Sequence, residues 1–130
     1  MSREVAFIHE EDIGSEIEVL VESFDVPTQA WVPQDLSSAT ELGLVLVRNG
    51  KDVNGDPFPD LTIVETSPGV GATFLKFRTD GTDGLMFYTT VTDDVPAGSA
   101  GHWRGQPRVK LSAALEWVGR EFRFNVYEKR

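Results

Sequence analysis

The chain has 130 residues, and 12 Lys and Arg against 21 Asp and Glu leave a formal net charge of −9. It has no cysteine and two histidines, which excludes disulfides, thiolate zinc sites, cysteine nucleophiles and histidine-rich metal centres. The acidic balance argues against a nucleic-acid partner, because binding to phosphates needs a basic excess. A chain of this length can bury its own core, so we predict one domain, residues 1–130.

Apolar residues recur at period two, between turns rich in Gly, Pro, Asn and Asp, and almost never at helical spacing. Ile17, Val19 and Val21 alternate with glutamates, as in a strand with one solvent-exposed face. Strands are predicted at residues 5–9, 16–22, 42–47, 61–65, 73–79, 85–92, 103–111 and 122–127, with 42–47 central because it is apolar on both faces. About eight short strands predict an all-β fold, an antiparallel β-sandwich.

One segment, residues 112–118, allows two interpretations: a helical turn or two, or a hairpin connection that carries Trp117 into the core. Elsewhere, Trp103 shares its parity with Val109 and Leu111, so we expect Trp103 in the core as well. Trp31 follows Pro27 in a proline-flanked loop and is the tryptophan expected to be exposed, where it could stack on a sugar ring.

Charge is distributed unevenly along the chain. Residues 1–102 hold 5 basic and 18 acidic side chains (−13), whereas residues 103–130 hold 7 basic and 3 acidic ones (+4). One interpretation is a solvated strand face, and the other is an interface between a basic edge and an acidic strand. The predicted interface residues are Arg104, Arg108, Lys110, Arg120 and Arg123 on the basic side and Glu16, Glu18 and Glu22 on the acidic side. Head-to-tail contacts of this kind close into rings or stacks.

The segment 52–60 is a candidate calcium loop, with oxygen-bearing side chains at Asp52, Asn54, Asp56 and Asp60. It resembles the calcium loop of integrin-type propeller repeats but has Pro57 where that family has glycine, and proline blocks the left-handed conformation used there. The motif occurs once, so a propeller is excluded. The segment is therefore either a Ca²⁺ site or a polar hairpin loop stiffened by its prolines; no other cofactor is expected.

No enzyme is expected from this sequence. Its acids alternate with core residues or lie in turns, as Asp93 and Asp94 do, and its serines lack the context of a nucleophile elbow. His102 precedes Trp103 at the start of a predicted strand and is expected at the surface. No signal peptide and no run of about eighteen apolar residues is present, so we expect cytoplasmic synthesis and no membrane partner.

Three short segments together resemble the immunoglobulin-like β-sandwich domains of tailed-phage virion proteins, of the baseplate upper protein and tail-fibre attachment type. The segments are Asp35-Leu-Ser-Ser-Ala-Thr40 before an apolar strand, Ala97-Gly-Ser-Ala-Gly-His-Trp103-Arg-Gly-Gln106 before another, and the closing Phe122-x-Phe124-x-Val126. The likeness spans residues 13–128. In that family a coiled coil or receptor-binding part usually follows, whereas here the chain ends at Arg130, so we expect a free-standing subunit.

The resemblance implies a phage virion structural protein that attaches fibres at the baseplate, tail or neck by protein–protein assembly. Its partners would be other virion proteins and further copies of itself, and its location the virion, assembled in the host bacterial cytoplasm. Two alternatives remain open at this point: a calcium-dependent carbohydrate-binding module or adhesin, and a capsid decoration protein.

Overall fold

Residues 8–112 and 115–129 are described by the structure, a computed structural model. These residues form strands, turns and loops with no helix, which confirms the all-β prediction. The strands are β1 (Ile8–His9), β2 (Glu16–Leu20), β3 (Glu22–Asp25), β4 (Ala30–Pro33), β5 (Glu41–Val47), β6 (Leu61–Glu65), β7 (Leu75–Lys76), β8 (Leu85–Thr89), β9 (Gly101–Ser112), β10 (Leu115–Val118) and β11 (Phe122–Tyr127). Within those two ranges, no helix is long and apolar enough to span a membrane.

The largest sheet has six strands in the order β1-β11-β9-β5-β6, with β10 also paired to β9. Strand β9 is its axis: it pairs with β5 on one side, and with β11 and then β10 on the other. All these pairs are antiparallel except β1 with β11. A second sheet has the order β2-β8-β7, and β3 and β4 form a separate two-stranded hairpin.

The inner faces of the two larger sheets share one hydrophobic core. Alternate residues of β5 point inward from the six-stranded sheet, and alternate residues of β2 and β8 point inward from the three-stranded sheet. The inward side chains of these strands are Leu42, Leu44, Leu46, Ile17, Val19, Met86 and Tyr88. Two sheets packed on one core are consistent with a β-sandwich.

Trp103 fills the middle of this core, as its parity predicts. It is fully buried, packs against Phe124 at a ring-centroid distance of 5.8 Å, and donates its indole N–H to the Ser99 carbonyl at 2.8 Å. Gly105 lies two residues further along β9, opposite Phe122 of β11. The Phe122 ring occupies the space that a Cβ on Gly105 would need, so this glycine lets the ring lie flat over β9.

The sequence overestimated the length of more than one strand and missed two strands. Residues 73–79 form only the two-residue β7, and the Glu65 carboxylate accepts hydrogen bonds from the backbone amides of Phe74, just before this strand, and of Leu75, its first residue. The missed strands are β3 and β4, and the predicted strand 85–92 ends at Thr89. Strand β10 shows that the hairpin interpretation of residues 112–118 is correct, and Trp117 packs half-buried against the core; residues 113–114 lie outside the described ranges. Residues 5–7 of the first predicted strand also lie outside them.

Candidate functional site

Four of the five predicted basic interface residues lie together on the outer face of the six-stranded sheet. Strand alternation turns Trp103 and Val109 of β9 inward and therefore turns Arg104, Arg108 and Lys110 outward. The register of β11 places Arg123 directly opposite Arg104. We call this surface the basic face, defined by Arg104, Arg108, Lys110 and Arg123.

The positive charge of the basic face is concentrated on its arginines. Like charges directly opposite each other on a sheet are destabilising, and the Arg104–Arg123 pair is such a case. Arg104 has a loose surface ion pair with Glu121, 3.6 Å from Nη1 to Oε1. Considering the described part of the chain, neither Arg108 nor Arg123 lies within 4.0 Å of a carboxylate.

Lys110 has a different environment from the arginines. Its register partners are Glu41 on β5 and Glu116 on β10, one on each side. Arg108, by contrast, lies between Gly43 and Val118, two residues without charge. A negatively charged group that approaches this sheet would therefore be attracted toward Arg108, Arg104 and Arg123 rather than toward Lys110.

A notch lies in the basic face at Gly43. Gly43 has no side chain, and its neighbours across the strands are Arg108 on β9 and Val64 on β6. The notch has a volume of about 120 Å³, with Val45, Val64 and the stem of Arg108 in its walls. Its lining also includes Lys110, Glu41 and Glu116, and Arg108 is the one charged side chain among them whose register partners are uncharged.

Arg120, the fifth predicted basic residue, lies apart from the basic face, next to the β3–β4 hairpin. Its guanidinium is 3.6 Å from the Glu22 carboxylate and 5.4 Å from the centre of the Trp31 ring. Trp31 is in strand β4 rather than in the loop that the sequence predicted, and it packs edge-on against Phe24 of β3 at 5.5 Å. It remains 40% exposed, so its role in binding a ligand stays a prediction.

The acidic strand is already engaged within the chain. Arg78 contacts Glu16 at 2.6 Å and Glu18 at 3.0 Å, and its guanidinium lies 4.2 Å from the centre of the Phe87 ring. The hydrogen bonds to both glutamates raise the pKa of Arg78. Glu16 and Glu18 belong to the three-stranded sheet, so they do not lie beside the basic face.

The candidate calcium loop is held by its own first residue. The Asp52 carboxylate accepts hydrogen bonds from the backbone N–H of Asn54 at 2.8 Å and of Asp56 at 3.0 Å, which closes a tight turn. The described residues contain no group of three or more His, Cys, Asp or Glu placed to hold a metal ion. A Ca²⁺ ion bound by Asp52, Asn54, Asp56 and Asp60 stays a prediction.

Two buried carboxylates organise the backbone, and only one of them has a signal in the sequence. Glu65 is 3% exposed and accepts hydrogen bonds from the amides of Ser67, Phe74 and Leu75. It shares its strand parity with the inward Ile63, which is the signal that could have located it. Asp94 accepts hydrogen bonds from the Tyr88 hydroxyl and the Val91 amide. Burial and the bond to Asp94 raise the pKa of Tyr88.

The arrangement defines an all-β protein whose distinctive surface is a flat, basic sheet face with an apolar notch. No protein-family model matches the chain, and a search of curated proteins finds no match either. The geometry of this face and the residues around it are therefore what indicate a function.

Proposed function

We propose that this protein is a structural subunit of a tailed-phage virion, an immunoglobulin-like β-sandwich that joins fibres to the baseplate or neck. Each of the three segments that carry the family resemblance leads into a strand of the six-stranded sheet or lies in one, which supports the proposal. Residues 35–40 lead into β5 through a turn in which Asp35 accepts hydrogen bonds from Ser37. Residues 97–103 lead into β9 and bury Trp103, and residues 122–126 lie in β11 beside it.

The observation that carries the proposal is the pairing of Arg104 with Arg123 on an exposed sheet face. Two arginines opposite each other destabilise the isolated protein, and the described part of the chain supplies Arg123 with no carboxylate partner. Such a cost is offset when an acidic partner binds, because complementary charge favours association and sets its orientation. An acidic surface on another virion protein or on a second copy of the chain is the partner that we propose for this face.

The test is incorporation into particles of the phage whose genome carries this sequence. Reversing two charges, Arg104→Glu with Arg108→Glu, should reduce the amount of the protein in gradient-purified particles, measured by quantitative mass spectrometry. The residual binding of the glutamate variant to particles should be less sensitive to salt than wild-type binding, because fewer complementary charges contribute to it. The matched control is Arg104→Lys with Arg108→Lys, which keeps both charges and should be incorporated normally. Equal incorporation of the glutamate variant, or absence of the wild-type protein from particles, would contradict the proposal.

A further inference from the structure

We propose that the basic face binds a second copy of this chain, and that the bound segment is the tip of the loop between β5 and β6. Val53 of one copy packs into the notch at Gly43 of the next, and the carboxylates of Asp52 and Asp56 face Arg108. This inference identifies a partner for the proposed assembly role and rests on that role for its biological setting.

The loop tip has the shape of a preformed ligand. Val53 is a fully exposed aliphatic side chain, and it lies at the tip of the turn that Asp52 closes. The backbone N–H of Asp52 donates to the Asp56 carbonyl at 2.8 Å, and that of Gly55 donates to the Asp52 carbonyl at 3.0 Å. A turn held by four hydrogen bonds loses little conformational entropy on binding, and burial of Val53 removes apolar surface from water.

The notch matches this tip in size and in chemistry. An apolar cavity of roughly 150 Å³ holds benzene. The notch of about 120 Å³ therefore has room for the smaller side chain of a valine, between Val45 and Val64. Arg108 forms part of the wall and has no ion pair among the described residues, so it is available to a carboxylate.

The charges of the chain favour this loop as the partner over the acidic strand. Glu16, Glu18 and Glu22 are already paired with Arg78 and Arg120 within one copy. Residues 51–60 contain three aspartates against one basic residue, Lys51, so this loop tip is net acidic. In the described part of the chain the side chain of Asp56 makes no hydrogen bond or ion pair, which leaves its carboxylate available.

The contact is heterologous, because the loop and the notch are different surfaces of the same chain. Repetition of such a contact generates a ring when the rotation closes and a filament when it does not. A net charge of −9 opposes contact between two copies in most orientations, so association depends on the one orientation that places the acidic loop on the arginines.

Sedimentation velocity on the full chain tests the proposal through two complementary variants, Arg108→Glu and Asp56→Lys. The wild-type protein should associate with increasing concentration, and each variant alone should associate at least about tenfold more weakly because equal charges then meet. An equimolar mixture of the two should recover association. In the mixture, the unchanged Asp56 of one variant meets the unchanged Arg108 of the other, and the two substituted side chains also carry opposite charges.

Substitutions at the apolar contact give a second readout. Val53→Ser should reduce association, whereas Val91→Ser, at another exposed valine in a different loop, should leave it unchanged. Gly43→Leu should block the notch, and it is compatible with folding because a Cβ at this position meets Arg108 at an ordinary 3.4 Å. Circular dichroism verifies that each variant is folded.

Three results would overturn this inference: a wild-type chain that stays monomeric, single variants that associate like the wild type, or a mixture that fails to recover association. If the wild-type chain is monomeric and yet the glutamate variants fail to enter particles, the inference is wrong while the proposed virion role stands. If association follows the prediction but the protein is absent from particles, the virion role is wrong and the self-contact stands.

Discussion

Individual buried carboxylates fix the conformation of loops next to the sheets of this protein by accepting hydrogen bonds from backbone amides. Glu65 ends β6 with its side chain turned inward and holds the start of the loop through Ser67 and its end through Phe74 and Leu75. Burial raises the pKa of Glu65, but the hydrogen bonds from Phe74, Ser67 and Leu75 outweigh it, so the pKa lies below 4.5. The charged carboxylate is therefore the form that stabilises the fold.

Replacing this carboxylate with an amide, Glu65→Gln, should lower the free energy of unfolding at pH 7 by about 2 kcal/mol, because charge-assisted hydrogen bonds are lost. A lowered folded-state pKa means that the stabilisation is present above the unfolded-state pKa and is lost as the pH falls through the folded-state value. The difference between variant and wild type should therefore shrink below pH 4.5. Urea denaturation of the wild type and the variant at several pH values measures this difference in the free energy of unfolding.

Glu128→Gln is the matched control, since Glu128 is exposed and its side chain makes no hydrogen bond or ion pair with another described residue. It should leave the free energy of unfolding unchanged at every pH. A Glu65→Gln variant with wild-type stability at pH 7 would show that the carboxylate does not hold the loop.

Among the elements, the β3–β4 hairpin is the clearest case of a structure that the sequence did not reveal. Its strands have four residues each, too few for a convincing alternation, and Pro27 and Pro33 favoured a loop. What stabilises the hairpin is a cross-strand aromatic pair, Phe24 with Trp31, with Arg120 over the Trp31 ring. Arg120 comes from the segment between β10 and β11, so this contact depends on the tertiary fold.

A double-mutant cycle measures the aromatic pair. Phe24→Ala, Trp31→Ala and the double variant should give a coupling free energy of about 0.5–1.5 kcal/mol, the usual range for edge-on aromatic pairs. Thermal or urea unfolding supplies the four stabilities. The control cycle combines Phe24→Ala with Val32→Ala, which lies on the opposite side of the hairpin, and its coupling should be close to zero. Equal coupling in both cycles would contradict a specific Phe24–Trp31 contact.

On the scale of the whole molecule, the six-stranded sheet has one face in the core and the other exposed, and the exposed face carries the unbalanced positive charge. The stability of the monomer and the proposed assembly role place opposite requirements on this face. A folded monomer is more stable without two opposed arginines, whereas an acidic partner requires them.

Neutralising one of these charges should affect the stability of the monomer and the proposed assembly in opposite directions. Arg123→Gln should raise the free energy of unfolding by about 0.5 kcal/mol at low ionic strength, because the repulsion from Arg104 is removed. The gain should decrease in 1 M salt, where the screening length is only about 3 Å. Under the proposed virion role, the same variant should enter phage particles less efficiently. Asn125→Gln, two residues along β11 on the same face, is the neutral control for both measurements.

Much of this architecture could be predicted from local pattern. Period-two alternation identified the inward residues of β2, β9 and β11, including Trp103, because burial of one sheet face imposes that period on a strand whatever its partner. Residues 42–47 are apolar on both faces, so only the structure showed that Leu42, Leu44 and Leu46 are the inward residues of β5. The uneven distribution of charge also indicated the C-terminal strands as the basic part of the chain. Alternation alone was sufficient to place Arg104, Arg108 and Lys110 on one surface.

The tertiary structure decided which of these charges are available. Arg78 meets Glu16 and Glu18 across about sixty positions of sequence, and Lys110 comes to lie between Glu41 and Glu116, contacts that no local pattern encodes. The same holds for the notch at Gly43 and for the Arg104–Arg123 pair, which depend on strand register. The sequence by itself determined which side chains point outward, since that follows from the two-residue period of a strand. Only the pairing of distant strands decided which outward charges are compensated, because register is set by the packing of the whole core.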